Sequence, residues 1–139
     1  MQSVLIIDDS DEFRSTISMI LLDHDYDVWE ATCPDEAYAL LKEETFDLII
    51  CDLHMPFTFG EHFHEYPYSF EVGIKTIQEL GSIFPDKPII AMSAAAPWDL
   101  ARIKKALGDL PFLSKPFPAE ELLSTIEGSL AAQPGVVIN

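Results

Sequence analysis

The sequence predicts an α/β domain built on a doubly wound, five-stranded parallel sheet, and three observations carry that expectation. Apolar runs of strand length and stretches of helical spacing alternate five times along the 139 residues. The run Leu48-Ile49-Ile50-Cys51 has no polar alternation, as in a strand buried on both faces, and it stops abruptly at Asp52. Polar residues stand at the ends of the other long apolar runs too, where an open α/β sheet gathers its chemistry.

The first strand is the β-branched run Val4 to Ile7, closed by Asp8-Asp9. Ser10, Asp11 and Glu12 then supply N-terminal helix chemistry, and Phe13, Ile17, Ile20 and Leu21 mark one helical face. Asp27 to Ala31 alternates and is short, as an outer strand is. Pro34-Asp35-Glu36 opens the second helix, with Ala37, Leu40 and Leu41 inward. After the central strand the next helical stripe is Ile74, Ile77, Leu80 and Phe84, ending before Pro85. Pro88 to Met92 is the fourth strand and ends at Ser93. Pro97-Trp98-Asp99 begins the fourth helix, with Leu100, Ile103 and Leu107 inward and Gly108 as its stop. Leu110 to Leu113 is a short fifth strand ending at Ser114-Lys115-Pro116, and Pro118 to Glu121 starts a last helix striped by Leu122, Ile126 and Leu130.

Composition narrows the function classes. A chain that is 48% hydrophobic and 11% aromatic holds one core of domain size. Its 24 acidic against 8 basic residues, a formal charge of −16, disfavour nucleic acid or an anionic membrane as direct partner and favour a basic or neutral protein. Cys33 and Cys51 form no Cys-x-x-Cys and read as free thiols used for packing in a reducing compartment. The first strand is too short for a signal sequence and lacks a basic start, no run approaches the roughly 20 apolar residues of a membrane span, and a cytoplasmic location is expected.

In a parallel sheet the strand ends become one site. Asp8 and Asp9, Asp52, Ser93 and Lys115 leave strands one, three, four and five on the same edge. Two carboxylates about 4 Å apart repel by roughly 4 kcal/mol at an effective dielectric near 20, and a third adds to it. One lysine does not offset three acids. Hard oxygen ligands at a partly open site suit Mg²⁺, and a metal-bound carboxylate beside a lysine and a hydroxyl cradles a phosphoryl group.

Ile6-Ile7-Asp8-Asp9, Asp52-Leu53-His54-Met55-Pro56, Met92-Ser93-Ala94 and Lys115-Pro116-Phe117 together resemble the receiver domain of two-component response regulators, the CheY-like family. The resemblance covers nearly the whole chain. It implies a flavodoxin-like (βα)₅ fold with strand order 2-1-3-4-5 over residues 1–132. It implies that Asp52 accepts a phosphoryl group from a histidine kinase or a histidine phosphotransfer protein. Asp9, Asp52 and the His54 backbone carbonyl would ligate Mg²⁺, with Asp8 acting through water. Ser93 would be the hydroxyl that moves to the phosphoryl group, Lys115 its cationic partner, and Phe112 the aromatic that reports phosphorylation to a downstream protein target. The Lys115-Pro116 bond is expected to be cis by the same resemblance.

Three features depart from the family pattern or add to it. The segment from Phe57 to Val72 is about a dozen residues longer than the usual short loop, with Gly60 or Gly73 in the expected glycine role. It carries Phe57, Phe59, Phe63, Tyr66, Tyr68 and Phe70, so it either folds over the site or meets a partner. Its His62 and His64, flanked by Glu61 and Glu65, form a single cluster with no second ligand pair and read as solvated rather than as a metal site. Ala94 and Ala95 are small and leave the phosphoryl pocket open. Gln133 to Asn139 reads as a short tail with no effector domain, so a stand-alone, non-enzymatic signalling module is expected. Two rivals come from other classes. A haloacid-dehalogenase-like phosphatase would use Asp9-Ser10-Asp11 but leaves Asp52 unexplained. A docking pseudo-receiver usually lacks an acid or the lysine, and here all are present.

Overall fold

The structure, a computed structural model, describes residues 1–54 and 70–132. Most of the aromatic insertion and the whole of the 133–139 tail lie outside the described residues. Five strands and five helices alternate: β1 (Ser3–Ile7), α1 (Asp11–Asp23), β2 (Asp27–Ala31), α2 (Pro34–Glu43), β3 (Leu48–Asp52), α3 (Glu71–Ile83), β4 (Ile89–Ser93), α4 (Pro97–Leu107), β5 (Phe112–Ser114) and α5 (Ala119–Ala131). All strand pairs are parallel and their order is β2-β1-β3-β4-β5, as the resemblance implied.

The period of two along each central strand sorts its side chains onto two cores. Val4, Ile6, Leu48, Ile50, Ile90 and Met92 face one way and pack with Ile17 and Leu21 of α1 and Leu122, Ile126 and Leu130 of α5. Leu5, Ile7, Ile49, Cys51 and Ala91 face the other way, against Ala37 of α2, Ile74, Ile77 and Leu80 of α3, and Ile103 of α4. This is the doubly wound arrangement. It leaves every residue of β3 and β4 buried, which is why those strands read as continuous apolar runs. The outer strand β2 exposes Asp27, Trp29 and Glu30, hence its alternation.

Local chemistry ends the elements where the sequence signals them. Ser10 Oγ accepts the Phe13 N–H at 3.2 Å and caps α1, Pro34 and Pro97 open α2 and α4, and Gly108 leaves α4 at φ 64°. The fifth strand differs from its expected span of Leu110–Leu113. Pro111 has no N–H for a ladder and offers β4 only its carbonyl, which accepts the Ala91 N–H at 2.9 Å, and the Leu110 N–H turns back to Leu107 O, so the strand starts two residues later, at Phe112. Cys33 and Cys51 are free and buried, and burial, then Asp52 and Asp8, push the Cys51 thiol well above its ordinary pKa, which keeps it protonated.

Of the two glycines considered for the loop after β3, Gly60 lies outside the described residues, and Gly73 meets a tight packing demand. A Cβ there would stand 2.2 Å from Leu53 Cα, and the Gly73 N–H donates to Leu53 O at 3.2 Å. Gly73→Ala should therefore cost about 2 kcal/mol or more of unfolding free energy. Gly128→Ala on α5, where nothing lies within 4 Å of the added carbon, should instead stabilise by up to about 1 kcal/mol. Urea unfolding of both variants beside the parent checks the contrast.

Candidate functional site

Parallel pairing brings the C-terminal ends of β1, β3, β4 and β5 to one edge of the sheet, and the ladder continues past them. Asp8 N donates to Ala31 O at 3.0 Å, Leu53 N to Met92 O at 2.9 Å and Lys115 N to Ser93 O at 2.8 Å. The backbone beneath the site residues is thus fixed by the sheet itself. Asp8, Asp52 and Ser93 are buried, while Asp9 is half-buried.

Carboxylate oxygens of Asp8, Asp9 and Asp52 all lie within 4.8 Å of one another, a group found among the described residues. Lys115 Nζ enters from the β5 end, 2.9 Å from Asp8 Oδ2 and 3.4 Å from Asp52 Oδ1. Its other side rests on the Phe13 ring, 4.1 Å from the centroid, and Phe13 stacks edge-on with Phe117 at 5.5 Å. Burial first, and then Asp8, push the Asp52 pKa up to about 7, with Lys115 pulling the other way. The donors are all oxygen, clustered and in negative excess. They fit a hard divalent cation such as Mg²⁺ that retains waters.

Ser93 Oγ accepts the Ala95 N–H at 2.9 Å and stands 2.8 Å from His54 Nε2. Burial, reinforced by Lys115, holds the His54 imidazole below its ordinary pKa and so neutral near pH 7. The half-buried Phe112, at the start of β5, packs against the core face shared by α3 and α4. The Lys115-Pro116 peptide is cis.

Every sequence-predicted site residue except Phe112 therefore comes to this edge, and three neighbours were missed. The expectation for His54 concerned only its carbonyl, yet its imidazole reaches Ser93 across 39 positions of sequence. Arg14 joins the Asp8 carbonyl (2.7 Å), Asp11 and Glu30, so it ties the β1 exit to α1 and β2. Phe13 read as a core-facing helix residue, and the lysine stacked on it left no local sequence signal.

A sequence model of the response regulator receiver domain matches residues 4–127. The chain belongs to that family. The receiver is 31% identical over 131 residues to the probable transcriptional regulator ycf29 of Cyanophora paradoxa, covering 94% of this chain and 57% of that protein. It is 28% identical over 128 residues to the transcriptional regulatory protein ZraR of Salmonella typhimurium, covering 92% of this chain and 26% of that protein. The chain thus spans between about a quarter and somewhat over half of these relatives. Among solved structures, the receiver superposes on the chemotaxis protein CheY4 of Vibrio cholerae with a TM-score of 0.73 and 29% identity, covering 93% of this chain and 98% of that one. Phosphorylation and Mg²⁺ binding are typical of the family, whose members signal between histidine kinases and downstream targets.

The raised Asp52 pKa has a consequence for stability. Between about pH 4, where an ordinary carboxyl ionises, and about pH 7, the folded receiver holds a proton that the unfolded chain has lost. That contribution is complete below the lower value and is lost as pH rises through the upper one. Without divalent cation, unfolding free energy should fall across this window by about 2–4 kcal/mol more in the parent than in Asp52→Asn. Denaturant midpoints in a chelator, measured in half-unit pH steps, test this.

Proposed function

We propose that Asp52 is the phosphoacceptor of this receiver. Its carboxylate attacks the phosphorus of a phosphohistidine, the P–N bond breaks as the P–O bond forms, and the imidazole leaves. The observation that carries the reading is the buried Asp52 carboxylate set between two further acids and the Lys115 ammonium. Asp9 and Asp52, with the His54 carbonyl, would hold Mg²⁺, and Asp8 would act through water. The metal supplies positive charge against the phosphoryl oxygens. Lys115, already within 3.4 Å of Asp52 Oδ1, would share that role, and the Ser93 hydroxyl would bind a phosphoryl oxygen once it turns inward. Ser93 and Phe112 form the switch.

The donor in this proposal is a histidine kinase or histidine phosphotransfer protein, and the recipient of the switch is a downstream protein. The formal charge of −16 disfavours direct contact of this chain with nucleic acid or an anionic membrane. Relatives named as transcriptional regulators have more chain than this receiver matches, so any DNA output would belong to such additional segments. A cytoplasmic setting agrees with two free buried thiols. The receiver unit is assigned to residues 1–132.

Incubation with a small phosphodonor and Mg²⁺ should add one acid-stable, base-labile phosphoryl group, and Asp52→Asn should remove it. Mass spectrometry reads the result, and equal labelling of the variant would reject Asp52. Millimolar Mg²⁺ should raise the melting temperature of the parent and raise it less in Asp9→Ala. A parent whose melting does not respond would reject the metal assignment.

A further inference from the structure

The His54 imidazole is a polar side chain at the site edge that the proposed phosphoryl chemistry does not use. It lies between the switch hydroxyl and α4. Nε2 is 2.8 Å from Ser93 Oγ, the ring meets Phe70 edge-on at 6.4 Å, and the Arg102 guanidinium of α4 covers the Phe70 ring at 5.2 Å. Ser93 Oγ accepts the Ala95 N–H and still carries a proton that it can donate to an Nε2 without a hydrogen, the Nδ1–H tautomer of His54. A hydroxyl has one proton to donate. It can serve the imidazole or a phosphoryl oxygen on Asp52, but not both.

We propose that His54 is a latch on the switch. Its unprotonated Nε2 accepts the Ser93 proton in the unphosphorylated protein and competes with the phosphoryl group for it, so phosphorylation must release the imidazole. The contacts from His54 through Phe70 to Arg102 give that release a physical link to α4, separate from Phe112. His54 here is a positioning residue acting through Ser93. The inference rests on the phosphoacceptor reading, because the competition exists only if a phosphoryl group occupies Asp52.

Beryllofluoride with Mg²⁺, a stand-in for the phosphoryl group, tests both readings in calorimetric titrations of the full chain. His54→Phe keeps a ring against Phe70 and removes the acceptor. It should bind beryllofluoride about fivefold more tightly than the parent, the equilibrium worth of one neutral hydrogen bond. His54→Gln, whose side-chain carbonyl can take the proton, should return toward the parent affinity. In a Ser93→Ala background, His54→Phe should change nothing further. In metal-free protein, ¹⁵N spectra should show Nε2 unprotonated and shifted by Ser93→Ala. An affinity unmoved by His54→Phe, a change that persists without the Ser93 hydroxyl, or a protonated Nε2 overturns the latch while leaving the phosphoacceptor intact. A parent that neither binds beryllofluoride nor becomes labelled at Asp52 overturns both.

Discussion

Mutual repulsion among Asp8, Asp9 and Asp52 is the constraint on which the active edge depends. Their oxygens are held within 4.8 Å of one another by strand ends that cannot spread without breaking the sheet. Lys115 meets two of the three and leaves negative charge in excess. At an effective dielectric near 20, a pair of like charges about 4 Å apart costs about 4 kcal/mol, comparable with a large fraction of a small domain's net stability. Such a cluster persists because β1 and β3 are buried on both faces and supply the compensating free energy elsewhere. The Asp52 pKa is raised by burial first and by this repulsion from Asp8 second. A divalent cation or a proton would relieve the repulsion.

The surroundings of that cluster show how the rest of the fold serves it. Phe13, itself packed edge-on against Phe117, covers one side of Lys115, so the ammonium approaches the acids with one side against a ring rather than fully in water. Arg14 takes the Asp8 carbonyl together with two carboxylates, which fixes the turn from β1 into α1 at the point where Asp9 leaves it.

Sequence reading recovered the strand ends because each apolar run stops where its polar residue begins, and a parallel sheet turns those stops into neighbours. It placed Asp8, Asp9, Asp52, Ser93 and Lys115 together on that logic alone, and the resemblance added their separate roles. It misplaced the start of β5, since Leu110 is apolar enough to belong to a strand while its N–H is taken by the turn after α4. The His54 imidazole was missed for a different reason. Its partner is brought near by the β3–β4 register, in which Asp52 pairs with Met92, and the imidazole then reaches Ser93 at 2.8 Å. Side-chain direction after a strand ends is not periodic, so no pattern in the chain encodes it.

The insertion illustrates how length and geometry are separated at this edge. The chain leaves β3 through Leu53 and His54 and returns at Phe70, whose ring touches that of His54, with Gly73 set against the Leu53 backbone. Departure and return are thus in contact, and the helix that follows is docked by a hydrogen bond to the residue after Asp52. Closing a loop of greater length between ends already fixed costs only about 0.6 kcal/mol per doubling. The strand end that carries Asp52 can therefore keep its place while the segment beside it changes in length and composition. What Gly73 secures is a close approach of α3 to the Leu53 backbone that any side chain would prevent, so the return of the chain is fixed against the strand end it left.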